Sequence, residues 1–348
     1  MSAVRPLLGV LDLAVIPEGH TAPETLRGSV ALAEQAEGWG YHRYWLAEHH
    51  LTAGIASVNP VPVLAAAVQR TSRIRIGSAA TLTGHRTAVS IAEDFATLAA
   101  FAPGRVDLGF GRSAARGREA PGPRGRAHAV LASPRFARRI ELLQQRDALA
   151  EDHGALIRDV RAFLADEFAD DDATRWSALP GGAQVELWSM GSSAGESARI
   201  AGEIGLPFAA NHHMSPETAG SAVEHYRAVS AEHGHVPRVA VSVEACVAED
   251  DREAQRLADA HLEWVRRQRA GEGITPFPSS GPVGVGEDPS VADRATALIA
   301  ATPAEAAARI RALATRLDAD EVVVSILAHD LDRRAASYAA LAEAWARG

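Results

Sequence analysis

Short apolar runs alternate with longer amphipathic stretches along almost the whole chain, and this alternation limits the possible folds more than any other feature. The runs are LLGVLDLAV (residues 7–15), YHRYWLAE (41–48), IRIGSAATL (74–82), RVDLGFG (105–111), VELWSMG (185–191), LPFAAN (206–211), RVAVSVEACV (238–247) and EVVVSIL (321–327). They are nearly continuous in hydrophobicity, as expected of strands covered on both faces. Stretches such as APETLRGSVALAEQAEGWG and AVSIAEDFATLAAFAPG carry the 3.6-residue periodicity of helices between them. Gly38 and Gly40, Pro103-Gly104 and Gly205-Leu206-Pro207 each stop a helical stretch just before a strand. Eight strands, each followed by a helix, make a (β/α)8 TIM barrel, here a single domain of 348 residues.

Two segments exceed a minimal barrel. Residues 113–182 open with the Gly-, Arg- and Pro-rich SAARGREAPGPRGRAHA and continue into a long helical run. Residues 270–294, rich in Gly, Pro and Ser, separate the seventh and eighth strands and read as a mobile loop that could cover a site. The net charge of −9 argues against a nucleic-acid partner. No apolar run of about 18 residues is present to span a membrane, and the first apolar run reads as a strand rather than a signal peptide. The one cysteine, Cys246, allows no internal disulfide and reads as a small core residue, which fits a cytoplasmic location.

In such a barrel, catalytic groups come from the carboxyl ends of the strands. There the sequence places AEHH after the second strand, SAATLTGHR after the third, GFGRS after the fourth, SMGSSAGES after the fifth and ANHHM after the sixth. In GSSAGES, a glycine and serines precede a helix, so backbone N–H groups and hydroxyls could hold an anion. Ordinary N-capping by Ser192 or Ser193 explains the same residues. Arg112, on the neighbouring strand end, could add charge for a phosphate. The pairs His49-His50 and His212-His213 do not chelate one ion readily, because adjacent residues on a strand face opposite ways. The chain has no G-x-x-x-x-G-K-[ST] motif, so nucleotide hydrolysis loses support.

GYHRYWLAEHHLTAGIASVNP, TSRIRIGSAATL, AEDFATLAAFAPGRVDLGFGRS and GSSAGESARIAGEIGLPFAANHH together resemble the bacterial luciferase-like flavin-dependent oxidoreductases, over most of the chain. The resemblance implies a monooxygenase that binds reduced FMN at the carboxyl ends of the strands. It implies a non-prolyl cis peptide at Ala79-Ala80 beside the flavin ring, with Asn59 nearby. Arg112, Gly191, Ser192 and Ser193 would meet the phosphate. GSSAGES reads as one residue longer than the commoner forms, which leaves open which serine makes that contact. Glu48 and His49 match the site-facing pair: His49 would donate or accept a proton, since imidazole titrates near neutrality, and Glu48 would orient His49 or hydrogen-bond near the flavin. A separate flavin reductase would deliver the reduced cofactor, and oxygen would oxidise a small organic substrate. Residues 270–294 match the family's mobile loop, and the helices after the second and third strands would form a homodimer face. Three alternatives stay open: a deazaflavin-dependent hydride-transfer enzyme of the same superfamily, a non-catalytic flavin-binding paralogue, and a metal-dependent barrel hydrolase, the last disfavoured by the motifs.

Overall fold

The computed structural model describes residues 5–111, 138, 142–143 and 152–348. Its parallel strands are β1 (Leu7–Asp12), β2 (Arg43–Leu46), β3 (Arg75–Leu82), β4 (Val106–Gly111), β5 (Val185–Gly191), β6 (Phe208–Ala210), β7 (Val239–Val247), β8 (Ile299–Ala301) and β9 (Glu321–Ile326). Pairings run in order from β1 to β7, then β7 to β9 and β9 back to β1, which closes an eight-stranded barrel. β8 stands outside that ring. It is a short strand that the sequence reading did not anticipate, and it pairs only with the last three residues of β7.

The helices are α1 (Ala22–Trp39), α2 (Pro60–Val68), α3 (Ala88–Phe101), α4 (His153–Leu164), α5 (Glu196–Ile204), α6 (Pro216–Glu232), α7 (Asp251–Arg267), α8 (Ala292–Ala297), α9 (Pro303–Arg316) and α10 (Leu331–Arg347). Local chemistry sets their ends. Thr21 and Glu24 form a capping box at the start of α1, and Gly40 ends it at φ 86°, in the left-handed region that glycine enters without strain. Asp250 and Asp330 cap α7 and α10 in the same way, each worth about 1 kcal/mol.

Strand alternation sorts the core into two shells. On β7, Val239, Val241, Val243, Ala245 and Val247 pack outward against the helices, whereas Ala240 and Cys246 belong to the inner cluster with Trp45, Trp188, Met190 and Val323. The buried thiol of Cys246 is pushed up by desolvation, consistent with a packing role. Ser242 and Glu244, on the same parity, therefore face the barrel interior.

The amino-terminal end of the barrel is sealed by charge. The Arg43 guanidinium binds Glu321 through two nitrogens at 2.6 and 3.0 Å and donates to Asp107 at 2.5 Å. It also stacks over the rings of Trp45 and Trp188, at 5.0 and 4.8 Å. Arg75 binds Asp107, and Arg238 binds Glu186. Chemistry is thereby left to the opposite end.

Residues 270–294 pack against the barrel. Phe277 is buried, donates its N–H to the Ile16 carbonyl and accepts from Glu18 N, both at 2.8 Å. Trp264 Nε1 donates to the Thr275 carbonyl. The approach at Gly54 is so close that a Cβ there would lie 1.9 Å from the Thr275 oxygen. In this structure the segment is a wall of the barrel mouth, with α8 and β8 built into its far end.

Candidate functional site

The opening question of the site is what the polar tail of β2 does. Glu48 is buried, and its Oε1 lies 2.6 Å from His50 Nε2. Its Oε2 accepts the N–H of Leu82, at the end of β3, at 3.3 Å. The side chain that Glu48 meets is thus His50, whose ring meets His85 edge-on at 5.3 Å. The physical reason is the alternation itself, since Glu48 and His50 share a parity that His49 lacks. His49 is partly exposed, and its N–H donates to the Ser57 carbonyl at 2.9 Å.

Next to it, the Ala79-Ala80 peptide is cis, as the resemblance implied. Both alanines are partly exposed, between Ser78 and Thr81, which are fully buried and joined through their hydroxyls at 2.9 Å. The β3–β4 register shifts over these residues. Gly111 closes β4 against them, where a Cβ would sit 2.6 Å from that of Ala80.

After β5, Gly191 and Ser192 are partly buried and Ser193 is exposed. The N-cap of α5 is Gly195, with no side-chain cap, so capping by Ser192 or Ser193 does not occur. The N-cap glycine offers the first turn no side-chain acceptor of its own, and Thr218 steadies the turn by donating to the Ser192 carbonyl. Asn59 is exposed and serves as the N-cap of α2, accepting from Val61 N at 3.3 Å. Arg112 lies outside the described residues, as does most of the 113–182 insertion.

A group of residues, of which the sequence reading singled out the His212-His213 pair alone, lines the β6–β7 side of the mouth. Its core is Glu244, which binds Arg294 of α8 and lies 3.1 Å from His261 Nε2 of α7. Burial works against the Glu244 carboxylate, but Arg294 and His261 hold it well below its usual range. His213 follows β6 and bonds Ser242. Burial is the largest cause of its depression to about 4, opposed by Glu244 and aided by Arg294, His212 and His49. The inward parity of Ser242 and Glu244 was readable in VAVSVEACV, but the contribution of Arg294 was not, because its position depends on the fold of residues 270–294. Among the described residues, no three metal-ligating side chains converge.

Comparison with known proteins places this geometry. Residues 7–347 match the model of the luciferase-like monooxygenase family. A luciferase-like monooxygenase of Escherichia coli K12 is 34% identical over 76% of this chain and 73% of its own. The structure of apo-MsnO8 superposes with a TM-score of 0.78 at 29% identity, covering 98% of this chain and 99% of that one. More distant likenesses show the fold alone. One is the oxygenating constituent of 3,6-diketocamphane monooxygenase of Pseudomonas putida in complex with FMN (TM-score 0.70, 18% identity, 99% of each chain). The other is an F420-dependent secondary alcohol dehydrogenase (TM-score 0.65, 15% identity, 98% of this chain and 99% of that one).

Proposed function

Because the chain belongs to the luciferase-like monooxygenase family, we propose that it is an FMN-dependent monooxygenase that oxidises a small organic substrate with molecular oxygen. The observation that carries this reading is a continuous rim. The start of α5 with Ser192 and Ser193, the partly exposed Ala79-Ala80 and the tail of β2 lie at the carboxyl ends of β5, β3 and β2, on one side of the barrel with β4 between the first two.

These residues fit the cofactor. A phosphate would find the first-turn N–H groups of α5 and two hydroxyls, a donor set complementary to an anion. A flat ring would lie against Ala79 and Ala80, whose small side chains leave the wall low; Asn59 would sit at the rim. Bound reduced FMN would supply the electrons that activate oxygen. The protein's own part is to bind, orient and shield. Glu48 would fix His50 and the exit of β3. The wall around Ile274 and Phe277 would exclude water, which suppresses unproductive breakdown. His49, whose Nδ1 is buried, would move a proton through Nε2. Reduced FMN would come from a separate reductase.

Titrating the apoprotein with reduced FMN and with a reduced deazaflavin tests this reading. Retention of FMN followed by substrate-dependent oxygen consumption is the expected outcome. Retention of the deazaflavin with hydride transfer and no oxygen use would favour the F420-type alternative, which the likeness to the alcohol dehydrogenase keeps in view.

A homodimer through the helices after β2 and β3 belongs to the same reading. It is supported by exposed Val58, Val89 and Phe101 and by a cavity of about 530 Å³ lined by Leu26, Val30, Pro62 and Val63. Val63→Glu should shift the sedimenting mass toward that of a monomer.

A further inference from the structure

We propose that Nε2 of His213 is a hydrogen-bond acceptor for the substrate, so that the site selects neutral organic compounds carrying an O–H or N–H group. The proposal rests on the reading of the barrel mouth as an oxidation site and specifies what enters it.

Backbone and side chain both hold His213 in place. Its N–H donates to the Ser242 carbonyl at 3.1 Å, and Nδ1 lies 2.5 Å from Ser242 Oγ. The Ser242 hydroxyl has one proton to give, and Oγ also lies 3.3 Å from the Ala210 carbonyl, which can only accept. The arrangement that satisfies both contacts has Ser242 donating to Ala210 and accepting from His213. In that arrangement the proton sits on Nδ1 and the Nε2 lone pair is bare. The ring is partly exposed, and Nε2 makes no hydrogen bond among the described residues.

The titratable and charged groups that face the ring are His49, His212, Glu244 and Arg294. Arg294 neutralises Glu244, and desolvation of the ring dominates, so His213 is uncharged at neutral pH. An uncharged ring of fixed tautomer accepts a hydrogen bond and gives no charge to an anionic substrate. Ser242 acts through it as a positioning residue. His213 follows β6, one strand beyond β5, and its bond to Ser242 turns the ring toward the β6–β7 side of the mouth.

The tautomer can be read without turnover, by ¹⁵N–¹H correlation spectra of histidine-labelled protein, with the His213 signals assigned by their loss in His213→Gln. The expected state at pH 7 is protonated Nδ1 and bare Nε2, and Ser242→Ala should release that preference. Benzyl alcohol and benzyl methyl ether serve as a matched pair of probes with the FMN-loaded protein. The alcohol should shift the Nε2 resonance and bind about twofold to tenfold more tightly than the ether, the worth of one neutral hydrogen bond. That preference should vanish in His213→Phe. A protonated Nε2 in the wild type, or equal response to the two probes, overturns the proposal. The tautomer is measured in apoprotein too, so a failure to bind FMN would sink the cofactor reading and leave this result standing.

Discussion

Arg43→Met is the perturbation whose cost can be worked out most directly from the structure. Methionine keeps the apolar stem between Trp45 and Trp188 but removes the guanidinium. Asp107 would still have Arg75, at 2.6 and 2.8 Å, and the indole N–H of Trp45, at 2.9 Å. Glu321 would lose both its close bonds, keeping only Arg238 Nε at 3.9 Å, although its side chain is 4% exposed. Breaking a buried pair while leaving one charge behind costs about 3–5 kcal/mol. Replacing both charges by apolar groups of similar size removes most of that penalty, so Arg43→Met/Glu321→Met should recover at least about 2 kcal/mol over the single variant. Urea unfolding of the wild type, both singles and the double gives the cycle. A single variant within about 1 kcal/mol of wild type, or a double no more stable than Arg43→Met, would refute the claim that this pair plugs the barrel floor.

Other expectations concern the rim. His49→Ala should lower oxygenated product far more than FMN affinity, measured by product yield against fluorescence titration. Ser192→Ala/Ser193→Ala should weaken FMN about tenfold while leaving riboflavin, which lacks the phosphate, unaffected. Glu186 is depressed to about 2 despite partial burial, because Arg238, Arg75 and Arg43 bind it. A lowered folded-state pKa gives stability that is present above the unfolded value of 4.5 and lost as pH falls toward 2. Glu186→Gln should therefore flatten the stability profile across that window in acid titrations followed by circular dichroism. Arg294→Met should leave Glu244 with His261 alone and loosen α8, read as faster amide exchange over residues 285–297.

The barrel was legible because each strand needs apolar residues on both faces and each helix on one, and those two periods are written locally. The polar tails of β2, β3, β5 and β6 were legible for the same reason: an apolar run ends where its strand leaves the core. The resemblance supplied what periodicity cannot, including the cis peptide at Ala79-Ala80. β8 escaped notice because three residues, Ile299–Ala301, carry too little pattern to be distinguished from a loop.

What the sequence determined by itself was the architecture and the rim on which chemistry sits, because both follow from residue spacing along one strand at a time. Only the tertiary structure decided which groups at that rim meet. Glu48 meets His50, Gly195 displaced the serines from the cap of α5, and Arg294 reached Glu244 from fifty residues away. Pairings of that kind depend on how separate strands are staggered around a closed ring, and on where a long connection comes to rest. Neither quantity is encoded in the spacing of any single stretch.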